Sequence, residues 1–187
     1  DVSQLDNQQL SIDSLVSAGN VNLGRTTLTA DQKIALNDTS HISLVLGYGR
    51  LIAEDLELQG GTLDLKRADD LLYEINKTYG IFYAPTYSGS AFSEVLSHDF
   101  VFVTPLVDSN TVILTRNDIR FDSVSNTPNQ TAVAGAIEYL NPDNLVYRSI
   151  ISGSETDASR SFDFLSGEVH SSIITALSDS SLYFRDE

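Results

Sequence analysis

Short alternations of apolar and polar residues, recurring at a nearly constant spacing, restrict the fold of this chain more than anything else in it. Between residues 10 and 65 the apolar pairs are Leu10/Ile12, Val21/Leu23, Ile34/Leu36, Leu44/Leu46, Leu56/Leu58 and Leu63/Leu65, separated by Gly, Asn, Asp or Ser. Alternation with period two puts one face of a strand against a core and the other in water. The pairs also repeat at longer range. Leu23 to Leu44, Ile34 to Leu56 and Leu44 to Leu63 each cover about 20 residues, the length of one coil of a parallel β-helix. In such a fold each strand pairs with its counterpart one coil along, and inward side chains stack into a continuous core. An antiparallel sandwich with irregular turns would give the same local alternation and is the alternative.

Residues 69–120 change character. LLYEIN (71–76), YGIFYAP (79–85), AFSEV (91–95), FVFVTPLV (100–107) and TVILTRN (111–117) read as an aromatic-rich β meander, with turns at Gly80, at Ser88 and Gly89, and at 108–110. An open end of a β-helix presents unpaired N–H and C=O groups, so a block of this kind suits a cap. The aromatic core expected of it is Tyr73, Ile75, Phe82, Phe92, Phe100, Phe102 and Leu114.

After Asn117 the period switches from two to that of a helix. Asn126 or Thr127 can cap a first helix, with Pro128 in its first turn, where a missing N–H costs nothing. TAVAGAIEYL follows, with Val133, Ile137 and Leu140 on one face, and ends at Asn141 and Pro142. Beyond a polar spacer, a second helix is expected from about Asp157 or Ser159 to Ser178. Phe162, Leu165, Val169, Ile173 and Leu177 form its apolar stripe. The division expected is therefore 1–68 as β-helix coils, 69–120 as cap and 121–187 as a helical junction: a mainly β fold followed by C-terminal α-helices.

Composition narrows the function classes. The 187 residues include 26 Asp and Glu against 11 Lys and Arg, a formal charge of −15. A field of that sign repels phosphates and anionic lipid headgroups, which argues against nucleic acid as a partner; Ca²⁺ is the ligand it would take incidentally. With no cysteine, disulfides and Cys-based zinc sites are excluded. No run approaches the roughly 18 consecutive apolar residues of a transmembrane helix. DVSQLDNQQL has neither a basic nor an apolar leader region, and a chain that starts in mid-pattern and stops at FRDE reads as a piece of something longer.

Two stretches carry a family resemblance. NTPNQTAVAGAIEYL with FDFLSGEVHSSIITALSDSSLYFRD is similar to the junction of bacterial autotransporters, where a secreted passenger meets the segment leading into its outer-membrane barrel. Upstream, Tyr73 and Ile75, then Ser90 through Val95, then Pro105, Leu106, Asp108, Asn110, Val112, Leu114, Arg116 and Asn117 resemble the end of such passengers. Ser90 stands where Gly is usual, and the spacing is tightened by one or two positions. The resemblance covers about residues 60 to 187. It implies a C-terminal passenger region with its autochaperone and junction, exported C-terminus first and folding at the Gram-negative cell surface. The partners it implies are its own outer-membrane barrel and an upstream passenger, and its role is to seed folding rather than to catalyse. The absence of cysteine then makes sense, since disulfide loops would trap a chain crossing the periplasm unfolded. One departure is clear: some relatives are released by cleavage between adjacent asparagines, and this chain has no Asn-Asn pair.

Candidate chemistry is thin beside this. The histidines are His41, His98 and His170. No G-x-S-x-G elbow supports a serine hydrolase, and Ser166-Gly167-Glu168 belongs to the junction pattern. His170 with Glu168 or Asp163 fits no H-E-x-x-H zinc site. Gly60, Gly61 and Asp64 lack the middle glycine and the tandem copies of a calcium-binding glycine repeat, and read as a turn into a strand. Asp55, Glu57, Asp69 and Asp70 read as solvated charges that blunt sheet edges. Gly47-Tyr48-Gly49-Arg50 precedes no helix, so it reads as a β corner rather than a phosphate loop. No cofactor or metal site is therefore expected. A second hypothesis, from a different class, is an adhesive module of a virulence factor that binds a host surface receptor through Tyr79, Tyr83 and Tyr87.

Overall fold

The computed structural model describes residues 8–108 and 110–167. The chain is mainly β, with three α-helices towards its C-terminal end, and divides into two compact units, Asp1–Asn117 and Asp118–Glu187.

In the first unit β1 (Gln9–Ser17), β3 (Thr27–Leu36) and β5 (Arg50–Gln59) lie side by side and parallel; β2 (Asn20–Gly24), β4 (His41–Val45) and β6 (Thr62–Lys66) do the same in a second sheet. Successive strands thus go to different sheets, and neighbours within a sheet lie one sequence repeat apart. Alternation decides which side chains point inward. In β4, Ile42 and Leu44 are buried while His41, Ser43 and Val45 are half-buried on the other face. The register then sets the inward residues in columns: Ile34 beside Leu56, Leu36 beside Leu58, Ile42 beside Leu63. All six are at most 2% exposed. Leu44 pairs with Leu65 rather than Leu63. A slip of two residues keeps the same face inward, so the expected column survives with different members.

At the corner before β6, Gly61 has φ +84° and a Cβ on it would lie 2.6 Å from the Ser40 carbonyl oxygen. The backbones of two successive repeats approach here too closely for any side chain. Gly47, at φ +92°, occupies the other expected corner.

The expected meander is corrected. Among the described residues only β7 (Thr78–Gly80), β11 (Val103–Asp108) and β12 (Thr111–Arg116) form an antiparallel sheet, in the order β11-β12-β7, with Asp108 opposite Thr111 where a turn was expected. The intervening β8 (Phe82–Tyr83) and β9 (Thr86–Ser90) pair parallel with β5, and β10 (Glu94–Leu96) pairs parallel with β6. Parallel pairing therefore carries across the boundary expected at residues 68/69. Gly80 and Gly89, expected in turns, lie within β7 and β9. LLYEIN is not a strand: Asn76 takes φ 62°, and its N–H donates to the Leu114 carbonyl. Alternation reports that a segment is extended and which face is wet; it does not say which strand it will join.

The second unit holds α1 (Pro128–Glu138), α2 (Leu145–Ser152) and α3 (Glu155–Ser166). Thr127 caps α1 in a capping box with Gln130, as the sequence led one to expect, and Ile137 is buried. Val133 and Leu140 are half-buried, while Ala134 and Gln130 take the buried places beside Ile137. α2 lies where a polar spacer was expected. Its eight residues include Val146, Ile150 and Ile151, which favour strands, but Asn144 caps it and Tyr147, Ile150 and Ile151 are buried. Packing outweighs propensity here. α3 starts earlier than expected, at a Ser154–Asp157 capping box, and ends at Ser166 with Gly167 left-handed at φ 75°.

Candidate functional site

Four of the seven residues expected to form the aromatic core meet in two ring contacts. Tyr73 meets Phe100 edge-on with ring centroids 5.4 Å apart, and meets Tyr79 at 5.7 Å. Phe82 lies 5.7 Å from Phe92. Tyr73, Phe82, Phe102 and Leu114 are fully buried and Phe100 nearly so. Ile75 and Phe92 are half-buried. Leu114 sits in β12 opposite Pro105 of β11. Phe102 lies just before β11, with the Arg116 guanidinium 5.7 Å from its ring centroid.

Tyr73 ties this block to the parallel sheets. Its hydroxyl accepts from the Ala68 N–H and donates to the Leu46 carbonyl, each at 2.9 Å. Within the block itself, the Tyr79 hydroxyl accepts from the Glu74 N–H at 2.9 Å. The backbone adds further joins: Leu51 N–H donates to the Ile81 carbonyl, and the Ile81 and Phe82 N–H groups share the Asn110 carbonyl. Burial pushes the Tyr73 phenol up to about 12. A phenol that holds its proton more tightly folded than unfolded stabilises the fold below its ordinary value near 10, and that contribution drains away as pH rises towards 12. Tyr73→Phe is expected to cost about 1–3 kcal/mol, because it leaves a buried N–H and carbonyl without their shared partner. It should also remove a high-pH component from the tyrosine absorbance titration.

Some core residues were not singled out from the sequence. Ile81, Tyr79 and Val112 are as buried as those that were. Val112 was legible as the alternation partner of Leu114; Tyr79 was assigned instead to an exposed tyrosine patch. That patch is corrected: Tyr79 is 8% exposed, while Tyr83 and Tyr87 are 45% and 37% exposed. In the helical stripe Phe162 is buried but Leu165 is 46% exposed, so the two do not share one covered face. Val169, Ile173 and Leu177, with His170, lie outside the described residues.

The carboxylates expected to be solvated are exposed at Asp69 and Asp70 and half-buried at Asp55 and Glu57, and they are also paired. Arg25 donates two hydrogen bonds, 2.8 and 2.7 Å, to Asp70, holding that carboxyl below its ordinary range, while its guanidinium lies 4.6 Å from the centroid of Tyr48. Lys33 donates to Glu57 at 2.6 Å and lies 3.7 Å from Asp55, one repeat along. That hydrogen bond lowers Glu57 and raises Lys33. Asp69 pairs with Arg67 at 2.8 Å, and Arg120 holds Asp122 low in the second unit. Carboxyls held low stabilise the folded chain above their unfolded value near 4, and that contribution is lost as pH falls through the lower folded values. The urea midpoint should therefore fall as pH drops below about 4, and Arg25→Ala should flatten that fall.

His41 lies 3.9 Å from Asp64, which pairs with Lys66 at 3.0 Å; His98 is exposed. Among the described residues no three His, Cys, Asp or Glu side chains are grouped so as to hold a metal ion, and no helix is long and apolar enough to cross a membrane. What the arrangement does chemically is join a buried aromatic block to the last strands of two parallel sheets. No family model, curated protein or solved structure matches the chain.

Proposed function

We propose that this chain is the C-terminal passenger segment of an autotransporter, a right-handed parallel β-helix end with an aromatic cap, which seeds passenger folding and supports secretion across the outer membrane. The role is one of folding, not catalysis. The observation that carries it is the contrast between the two ends of the parallel sheets. At one end β1 and β2 each pair on a single side among the described residues, and Leu10 and Val16 are 54% and 80% exposed. At the other, β8, β9 and β10 close the sheets, and although β9 is exposed, Phe82 of β8 and the rings of Tyr73, Phe100 and Phe102 are buried. An open edge with exposed apolar residues is a template for a further coil, whereas the aromatic end supplies the core that a first coil lacks. Right-handedness follows the rule for parallel crossovers. Ordering one coil costs chain entropy before any stacking is gained, so a self-stable cap that folds first lowers the barrier for coils added to it. Folding outside the cell then opposes back-sliding through the barrel.

The test places this chain between a reporter and an autotransporter barrel in a Gram-negative host. Surface display of the reporter, scored by protection in the periplasm and protease access outside, should drop at least tenfold when residues 69–117 are deleted. Unchanged display would overturn the reading.

A receptor-binding module is the second reading, favoured by the exposure of Tyr83 and Tyr87. Arg50 lies 5.8 Å from the Tyr83 ring, and Tyr87 lines a hollow with Leu56, Phe82, Ala84 and Asn110. Replacing both exposed tyrosines by alanine should abolish host-cell adhesion without altering display if this reading holds.

A further inference from the structure

We propose that the hollow beside Tyr87 binds one neutral sugar ring bearing an acetamido group, which gives the receptor-binding reading its ligand class and rests on that reading. The hollow holds about 260 Å³, below the roughly 300–1,000 Å³ of sites for larger ligands, so it suits a single ring. The register explains why space is left here. Tyr87 of β9 is the partner of Leu56 on β5 and so belongs to the inward column. β9 pairs with β5, and no further strand covers it among the described residues, which leaves Tyr87 37% exposed where Leu56 is 2%. Leu56 and Phe82 are the buried lining, Ala84 is half-buried, and Tyr87 and Asn110 are the exposed lining.

Three properties of the lining select this ligand. The first is neutrality. No lining residue is charged, although the chain stands at −15, because Asp55 and Glu57 alternate with Leu56 onto the outer face of β5 and pair there with Lys33. A charged ligand would give up its water for no partner. The second is the exposed lining, a phenol ring and a primary amide. Burial raises the Tyr87 phenol, so its ring leans on the protein and leaves one face open for the apolar C–H face of a pyranose. The Asn110 carbonyl accepts from the Ile81 and Phe82 N–H groups at 2.9 and 3.2 Å, which holds this residue beside the buried lining. Its side-chain amide and the Tyr87 hydroxyl bond to no other described residue, and they offer both donors and acceptors to ring hydroxyls. The third is the buried lining, which is wholly apolar. A hydroxyl sent against Leu56 and Phe82 would lose its hydrogen bonds, whereas the methyl of an acetamido group gains contact there.

The test is saturation-transfer NMR on the full chain with N-acetylglucosamine and N-acetylgalactosamine, run separately, and with glucose as the sugar lacking the acetamido group. At least one of the first two should bind with a Kd of about 1 mM, its acetyl methyl taking the strongest transfer. Glucose should bind about tenfold more weakly. Tyr87→Ala should weaken binding about tenfold as well. Ala84→Leu, which fills the hollow, should abolish it at an unchanged urea midpoint. Tyr83→Ala should leave it unaltered, since Tyr83 follows the buried Phe82 onto the outer face of β8. No binding, equal binding of glucose, or binding indifferent to both Tyr87→Ala and Ala84→Leu would overturn the proposal. Host-cell adhesion separates its failure from that of the receptor reading. Adhesion lost in the double tyrosine variant, with no sugar bound by the unaltered chain, removes the sugar site and keeps the receptor. The expected sugar binding with adhesion unchanged keeps the site and removes the receptor.

Discussion

Replacing Phe102 by alanine is expected to cost about 3–5 kcal/mol and to take the Asp1–Asn117 unit close to the limit of folding on its own. The ring is 0% exposed and has no polar atom to satisfy, so its loss is pure cavity. The cavity is a costly one to leave. Its backbone carbonyl receives the Arg116 guanidinium at 2.8 Å and the Asn117 N–H at 3.2 Å, so these groups are held against the space the ring vacates. Collapse is limited because β11 and β12 are paired residue for residue from Val103–Arg116 to Asp108–Thr111. Against a typical total of about 5–15 kcal/mol, a loss of that size removes a large share of the folded population. Urea melts followed by circular dichroism and tyrosine fluorescence measure it directly. Phe92→Ala, at a half-buried ring, should shift the midpoint by less than half as much. A Phe102→Ala midpoint equal to that of the unaltered chain would remove this ring from any folding nucleus. In the reporter fusion, the two alanine variants should rank in the same order for display as for stability.

What was legible in the sequence, and what was not, divides by the range of the interaction. Period-two alternation located β3 to β6 and assigned their inward residues, because burial of every second side chain is a local consequence of strand geometry. The spacing of Ile34 from Leu56 gave an actual pairing. Thr127 and Pro128 gave the start of α1, since a cap is written in adjacent residues. Partner choice was not legible. Nothing local in TYSGS tells β9 to lie along β5 rather than turn back in a hairpin; the decision is made by backbone donors and acceptors left open on β5. Tyr73 shows the same limit within the core. Its aromatic ring marked it as buried, but the two hydrogen bonds that make it a joint, to Ala68 and Leu46, depend on a loop where a strand was expected. α2 escaped because a short segment with three β-branched residues is helical only by virtue of what it packs against.

The inward columns predict the sharpest contrast between neighbouring residues. Leu44→Lys should cost about 4 kcal/mol or more, enough to lose the folded first unit. Leu44 is 0% exposed, with Gly24 on one side and Leu65 on the other, and no carboxylate shares the column. An ammonium placed there must stay unpaired in an apolar interior or drag the strand apart. Ser43→Lys, one residue away, meets the opposite environment. Its register partner on β6 is Asp64, whose Oδ2 pairs with Lys66 while its Oδ1 accepts no hydrogen bond among the described residues. A lysine at 43 lies on that outer face beside an unsatisfied carboxylate oxygen, and the change should be neutral or stabilising by about 0.5 kcal/mol. The stabilisation, if present, should shrink in high salt, while the loss at position 44 should not. Both variants are read in the same urea melt. Similar costs at 43 and 44 would mean that the strand does not divide an inner from an outer face there, and the stacked core would have to be given up.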